Sequence, residues 1–543
     1  MDKALSMGKT SATGSFQLMV GVVLSTVIMA VGTIFLARVL PDASEYGIYG
    51  VALIPSSIIN FFRDWGINSA MTKQIASLRT ENRNEEVHEV IVSGMIFEVV
   101  SGAALSLLCY VLSGFLATVL NAPEAAPLIA IMSVSIFAGA VLAAATSIFV
   151  GYENMKLNSL TVVCQAIVKT AVGPLLVIVG YGVYGAIIGA AVSYVAAGAI
   201  GAAAVFVFFL RPLQKKGKGN KHHFYRTIKP MFAFGAPLMV SNFVIGVLPL
   251  VINSLMFIYA GALMYGNYTA ALNFAVLSTF LTLPINTVLF PAFSKLNADK
   301  DEGLLQTVFA SSVKYTSVFM VPATLAIMIL ATPMVNTLFG YLPSGDPKYA
   351  FAPYFLALTV AVNLFALVGN YSVGNFLAGV GETKLLMKQG ILTLALGLPL
   401  AFILVPTYGV VGGILGNLFA AVPSMIWGLY WIWKHYKVKV DIHSSAKIAI
   451  ASLIASVATA LLLSVFYAPD WLRLFFGFTA FIVVYLSSAP LVGAINQADL
   501  NNLRTMLSGL GVVSKMLEIP FRFMEKSLKI RHKQTLSKSQ LEV

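Results

Sequence analysis

Few ionisable side chains interrupt the apolar segments of this chain, and those few define the chemistry open to it. Lys169 stands near the middle of the apolar stretch 160–180. An ammonium at that depth costs about 2.5–3.5 kcal/mol on insertion scales, unless it meets water or an anion. Arg63 and Asp64 lie toward one end of the stretch 46–72. A guanidinium fork matches two phosphate oxygens, which makes Arg63 a candidate anion ligand, with Asp64 fixing it or serving as a plain partner. Arg38, at the end of the first apolar stretch, reads either as a phosphate contact on release or as a snorkelling anchor. Lys314 reads either as part of a cationic mouth or as ordinary basic bias beside a membrane. Glu98 is the expected counter-ion of Lys169, or with Asp64 a member of an H⁺ or Na⁺ relay. Together these residues suit the capture of an anion inside a membrane.

Other chemistries lack their residues. The six histidines (88, 222, 223, 435, 443 and 532) show no metal-ligand spacing beside a carboxylate, so no metal site is expected. No glycine-rich nucleotide loop is present, and no cofactor is expected. The longest outer connection, about 340–351, carries only Asp346 among acids, too little for an aqueous catalytic loop. An enzyme is therefore not expected. Cys109 and Cys164 both fall in apolar stretches, which argues against a disulfide framework.

The elements that position these charges are apolar helices. Of the 543 residues 58% are hydrophobic and 10% charged, against roughly 45–50% and 25% in soluble domains. Fourteen stretches are long enough to cross a ~30 Å hydrocarbon core: 15–40, 46–72, 88–120, 126–150, 160–180, 182–210, 230–260, 262–291, 307–339, 352–379, 385–406, 409–433, 446–467 and 471–491. With both termini cytoplasmic, only Arg38, Lys348 and Arg473 fall on outer connections. The net charge of +13 is then mostly topological. It predicts contact with anionic lipid headgroups and excludes nucleic acid as a partner.

The chain also repeats itself. Tyr46-Gly47-Ile48-Tyr49 returns as Tyr265-Gly266-Asn267-Tyr268, 219 positions later. Gly66-Ile67-Asn68-Ser69 returns as Pro284-Ile285-Asn286-Thr287, and Tyr181-Gly182-Val183-Tyr184-Gly185 as Tyr408-Gly409-Val410-Val411-Gly412. Gly151 and Lys156 match Gly379 and Lys384. The unit holds six spans, an even number, so both copies share one orientation. The expected organisation is an N-lobe (1–212), a basic cytoplasmic linker (213–229), a C-lobe (230–436), two extra spans (437–495) and a basic tail (496–543). In that tail 499–517 reads as an interfacial helix and the end as disordered. The segment 392–400, which answers to the surroundings of Lys169, carries no charge. The fold itself therefore does not require a lysine there.

Phe35-Leu36-Ala37-Arg38-Val39-Leu40, then Tyr46-Gly47-Ile48-Tyr49, then Asp64-Trp65-Gly66-Ile67-Asn68, resembles the N-terminal signature of Wzx-type polysaccharide flippases. These belong to the multidrug/oligosaccharidyl-lipid/polysaccharide exporter superfamily. The resemblance implies an all-α polytopic fold, MATE-like, of two six-helix lobes plus two further helices. It also implies translocation of a polyprenyl-(pyro)phosphate-linked oligosaccharide across the cell membrane by alternating access. Lipid-linked oligosaccharide, membrane lipids and glycan-assembly enzymes are the partners expected of a monomer. The competing readings are a drug or cation antiporter and a peptidoglycan lipid II flippase. An antiporter calls for intramembrane carboxylates, which the apolar stretches 15–40, 230–260, 262–291 and 352–379 lack entirely.

Overall fold

A computed structural model describes residues 2–63, 65–214, 224–274, 302–507 and 518–528, together with Leu277 and Phe293. The described residues are mostly helical. The sole β-type pairing among them is an isolated bridge between Tyr341 and Pro347. The helices are α1 (Asp2–Val39), α2 (Ala43–Arg63), α3 (Ile67–Thr80), α4 (Asn84–Val111), α5 (Ser113–Val119), α6 (Ala126–Gly151), α7 (Met155–Leu176), α8 (Gly182–Val205) and the short α9 (Arg211–Gln214). There follow α10 (Phe224–Leu272), α11 (Glu302–Phe339), α12 (Ala352–Val360), α13 (Asn370–Gly379), α14 (Thr383–Tyr436), α15 (Ile442–Val465), α16 (Asp470–Val492) and α17 (Gln497–Leu507).

Local chemistry sets several of the boundaries. Asp42 accepts the Glu45 backbone N–H at 2.9 Å as α2 begins, and Asn154 does the same for Leu157 at the start of α7. Such side-chain oxygens satisfy donors that the first helical turn leaves unpaired. The expected second span is interrupted at Gly66, whose φ of 75° closes α2 from α3.

Among the described residues nine helical stretches are long and apolar enough to cross a membrane, or ten with a bent pair taken as one span. Two of them, Met155–Leu213 with 59 residues and Thr383–Tyr436 with 54, far exceed the ~20 residues of one crossing. Each folds back at a glycine. Gly182 has φ 51° and ψ −138°, and Gly409, 227 positions later, has φ 57° and ψ −131°. This region of backbone space is open to glycine alone. In the first hairpin a Cβ on Gly189 would lie 2.3 Å from Gly173, while in the second a Cβ on Gly412 would lie 1.9 Å from the Leu404 carbonyl. α10 is broken in the same manner at Gly261, φ 76°. The run from Ala352 to Gly379 bends by 57°.

The chain divides into two compact units, Met1–Asn273 with Leu394–Asn417, and Phe274–Thr393 with Leu418–Val543. In the first unit α1 lies on α7, where a Cβ on Gly32 would meet Thr170 at 2.2 Å. α10 runs along α2. A Cβ on Gly47 would lie 2.0 Å from the Ala262 carbonyl, and one on Gly266 1.7 Å from that of Ala43. At the Arg63 end of α2, Gly66 and Gly235 approach equally closely. Glycine lets these backbones come together where any side chain would hold them apart. The expected match at 284–287 lies outside the described residues.

In the second unit α11 packs against α15 and α16. The bend at Gly369 frees carbonyls that neighbouring hydroxyls take up: Ser317 donates to Ala366 at 3.0 Å and Ser445 to Leu367 at 2.7 Å. A core of Val318, Ile448, Phe481 and Ala489 extends to Leu500, Leu503, Phe521 and Met524. Leu500 and Leu503, two leucines of the expected interfacial helix, are buried in this core, and α17 is described from Gln497 to Leu507. Leu510, Leu517 and residues after 528 lie outside the described residues.

Candidate functional site

The first unit holds the intramembrane charges. α7 places Lys169 half-buried beside a crevice lined by Thr33, Leu36, Tyr49 and Thr170, with room for about one water molecule (≈10 Å³). Thr170 is fixed there by a hydrogen bond of its hydroxyl to the Ile28 carbonyl, 3.0 Å. Lys169 itself makes no hydrogen bond or ion pair among the described residues.

Arg63 and Glu98 form a buried ion pair between α2 and α4. The Arg63 Nε also donates to Asn60 Oδ1 at 3.1 Å, and Asn68 Nδ2 donates to Glu98 Oε1 at 2.9 Å. Glu98 is wholly buried and Arg63 is 7% exposed. Removing one member of such a pair costs about 3–5 kcal/mol, because the other charge stays buried and uncompensated. This corrects the expectation that Glu98 neutralises Lys169: its partner is Arg63, the basic group that the break at Gly66 leaves at the end of α2. Phe62 packs on Phe243 with ring centroids 5.5 Å apart. Phe232 meets Trp65 at 6.0 Å and Phe97 at 5.1 Å. These rings line the same reach of α2, α4 and α10. Asp64 lies outside the described residues.

The structure does not gather every candidate in one place. Arg38 is exposed in the last turn of α1. Lys314 belongs to the second unit, where its Nζ meets Asp499 Oδ2 at 2.6 Å. Asp499 also accepts the Asn496 backbone N–H at 2.8 Å, and Asn502 reaches the Tyr315 hydroxyl at 3.1 Å. Lys314 therefore anchors the tail. A second polar group joins Asp470 to Asn336 (2.8 Å), Tyr341 and Arg473. Sequence reasoning missed the parts played by Asn68 and Asp499. For Asn68 the signal was a polar residue four positions after Asp64 in an otherwise apolar stretch. For Asp499 there was none, since its partner lies 185 positions away.

These features have parallels among known proteins. The family described as "Polysaccharide biosynthesis protein" matches residues 11–297, more than half of the chain. The lipopolysaccharide biosynthesis protein WzxC of Escherichia coli (strain K12) is 25% identical over 402 residues, covering 72% of this chain and 74% of its own length. The probable low-salt glycan biosynthesis flippase Agl15 of Haloferax volcanii is 18% identical over 238 residues, 44% of this chain and 49% of its own. Among solved structures, the lipid II flippase MurJ in an inward closed conformation superposes with a TM-score of 0.70 at 17% identity, covering 87% of this chain and 97% of that one. An inward-facing multidrug resistance MATE family transporter gives 0.62 at 18% identity, covering 76% and 96%. At such identities the likeness is one of fold. The chain belongs to the polysaccharide biosynthesis protein family.

Proposed function

We propose that this protein is a flippase that carries a polyprenyl-(pyro)phosphate-linked oligosaccharide from the cytoplasmic to the outer leaflet of the cell membrane by alternating access. The single observation that carries the reading is Lys169, a cation inside an apolar helix with no partner among the described residues. A partly desolvated phosphate is the natural complement of such a group. Arg63 is the second phosphate ligand once its carboxylate lets go, and Arg38 meets the headgroup on release.

The finer architecture belongs to the same proposal: fourteen spans, two six-span lobes in parallel orientation, and two further helices beside which the polyprenyl tail remains in lipid. Support comes from the paired hairpin glycines, Gly182 with Gly409, which share one backbone conformation 227 positions apart. The reciprocal meeting of Gly47 with Ala262 and of Gly266 with Ala43 points the same way. Residues 43 and 262, and 47 and 266, are repeat partners. Gly50 approaches Tyr265 and Thr269, which gives a parallel crossing, as expected about an axis along the membrane normal. The protein acts as a monomer with both termini cytoplasmic, beside the enzymes that assemble the glycan.

A cation antiporter is the poorer reading on one specific ground. Its cargo needs an available carboxylate, and Glu98 is held by Arg63 while Lys169 has no ion pair among the described residues. The test is glycan display by cells deleted for their own flippase. Wild-type protein is expected to restore it, Lys169→Arg to restore part, and Lys169→Met, at equal membrane levels, very little. Full display with Lys169→Met would remove the basis of the assignment.

A further inference from the structure

We infer that the cavity beneath the connection 340–351 is a binding site for a neutral sugar unit of the cargo. The Tyr354 ring stacks on the sugar, and Thr332 and Asn336 hydrogen-bond its hydroxyls. The inference rests on the glycan-cargo reading above. It deepens that reading by assigning a saccharide contact on the side that the proposed topology places outside.

The cavity lies within the second unit, between the last turns of α11, the connection 340–351 and the first turns of α12, and measures ≈390 Å³. Small-molecule sites span about 300–1,000 Å³, so this one suits a sugar unit and not a whole glycan chain. Its walls are preformed. The connection is tied across itself by the Leu342 N–H to the Asp346 carbonyl at 2.9 Å and by the Lys348 N–H to that of Gly340 at 3.3 Å. Buried Tyr349 pins it to Phe339, with ring centroids 4.8 Å apart. Pro347 and Pro353 stiffen the lining from two sides.

The described lining is apolar except for Thr332, Asn336 and Tyr354. The Tyr354 side chain is 55% exposed. Its hydroxyl and that of exposed Thr332 make no hydrogen bond among the described residues. Asn336 donates through Nδ2 to Asp470 Oδ2 at 2.8 Å, and the same carboxylate accepts from the Tyr341 hydroxyl and pairs with Arg473. Asp470 thus fixes an amide of the lining together with the connection that covers it. Among the described residues no Lys, Arg, Asp or Glu lines the cavity. A phosphate or an ammonium would enter without a counter-charge, and an acyl chain would strip water from the hydroxyl and the amide without replacing it. A sugar satisfies both demands. Its C–H face packs on the electron-rich face of the ring, and its hydroxyls exchange hydrogen bonds with hydroxyl and amide.

The experiment uses the full-length protein in nanodiscs, with the methyl glycosides of glucose, galactose, mannose, rhamnose and N-acetylglucosamine as probes. Saturation-transfer NMR at about 10 mM glycoside fills most of a site with a Kd of about 1 mM. Wild type should transfer saturation to at least one glycoside. Tyr354→Ala should weaken that binding about tenfold, and Thr332→Val, which keeps the shape and removes the hydroxyl, about fivefold. Both side chains are exposed, and should one variant fail to fold, the other decides. Transfer to no glycoside would overturn the inference, as would transfer undiminished in both variants. Transfer to octanoate that falls in Tyr354→Ala, with none to a glycoside, would overturn it in favour of an acyl-chain site. Movement of a glycan lipid by wild type in proteoliposomes is measured alongside. Movement without glycoside binding overturns the inference alone, and glycoside binding without movement overturns the cargo reading alone.

Discussion

Gly47 of α2 and Gly266 of α10 face each other so closely that a Cβ on either would fall within 3.0 Å of the other's backbone nitrogen. The helices touch here through backbone alone. Replacing Gly47 by Ala must push α10 away, an overpacking cost of about 1–3 kcal/mol. Gly390→Ala serves as contrast, because nothing lies within 4 Å of its added Cβ and helix propensity favours alanine by up to about 1 kcal/mol. Thermal unfolding in detergent should show Gly47→Ala and Gly266→Ala lowered and Gly390→Ala unchanged or raised. An unchanged midpoint for Gly47→Ala would contradict the close crossing.

The hairpin apices give a second prediction. Gly182 and Gly409 hold a conformation that an L-residue reaches only with strain of about 1–3 kcal/mol. Gly182→Ala and Gly409→Ala should each destabilise by that order in the same unfolding assay. Equal stability of both variants with wild type would mean that the turns are built otherwise.

Much of this fold lay open in the sequence because apolar length and glycine spacing are local properties. The helices around 126–151, 442–465 and 470–492 needed nothing else. What the sequence hid was pairing. Arg63 and Glu98 stand 35 positions apart on different helices, and the sequence pointed Glu98 to Lys169 and Arg63 to Asp64 instead. Their meeting depends on how α4 packs against the Arg63 end of α2, which no periodicity reports. The docking of the tail was hidden for a related reason. Leu500 and Leu503 show the spacing of an interfacial helix, and only Lys314, far away in sequence, gives Asp499 a reason to dock it.

The Asp441 carboxylate caps α15, accepting from the Ser444 backbone N–H at 3.2 Å and from its hydroxyl at 2.5 Å. The hydroxyl bond, chiefly, holds this carboxyl below the usual aspartate range. A lowered folded-state value contributes stability above the unfolded value, near 3.9, and loses it as pH falls through the folded-state value. At this exposed site Asp441→Ala should cost about 0.5–1 kcal/mol at neutral pH. Unfolding midpoints of wild type and variant should converge in strong acid, whereas a gap independent of pH would contradict the cap.

Lys314→Met should release the tail and spare transport. Its ammonium is committed to Asp499, so hydrogen exchange across Gln497–Leu507 should quicken while glycan export stays within about twofold of wild type. Export lost with an undisturbed tail would return Lys314 to the substrate path.

The central claim is translocation of a phosphate-linked glycan, and reconstitution tests it most directly. Purified protein in proteoliposomes would be loaded on one leaflet with a fluorescent polyprenyl-diphosphate oligosaccharide, and its arrival on the other leaflet followed by a membrane-impermeant quencher. Wild type should move it well above protein-free vesicles, and Lys169→Met should fall close to that background. Vesicles in which wild type moves a cationic dye but never the glycan lipid would contradict the assignment.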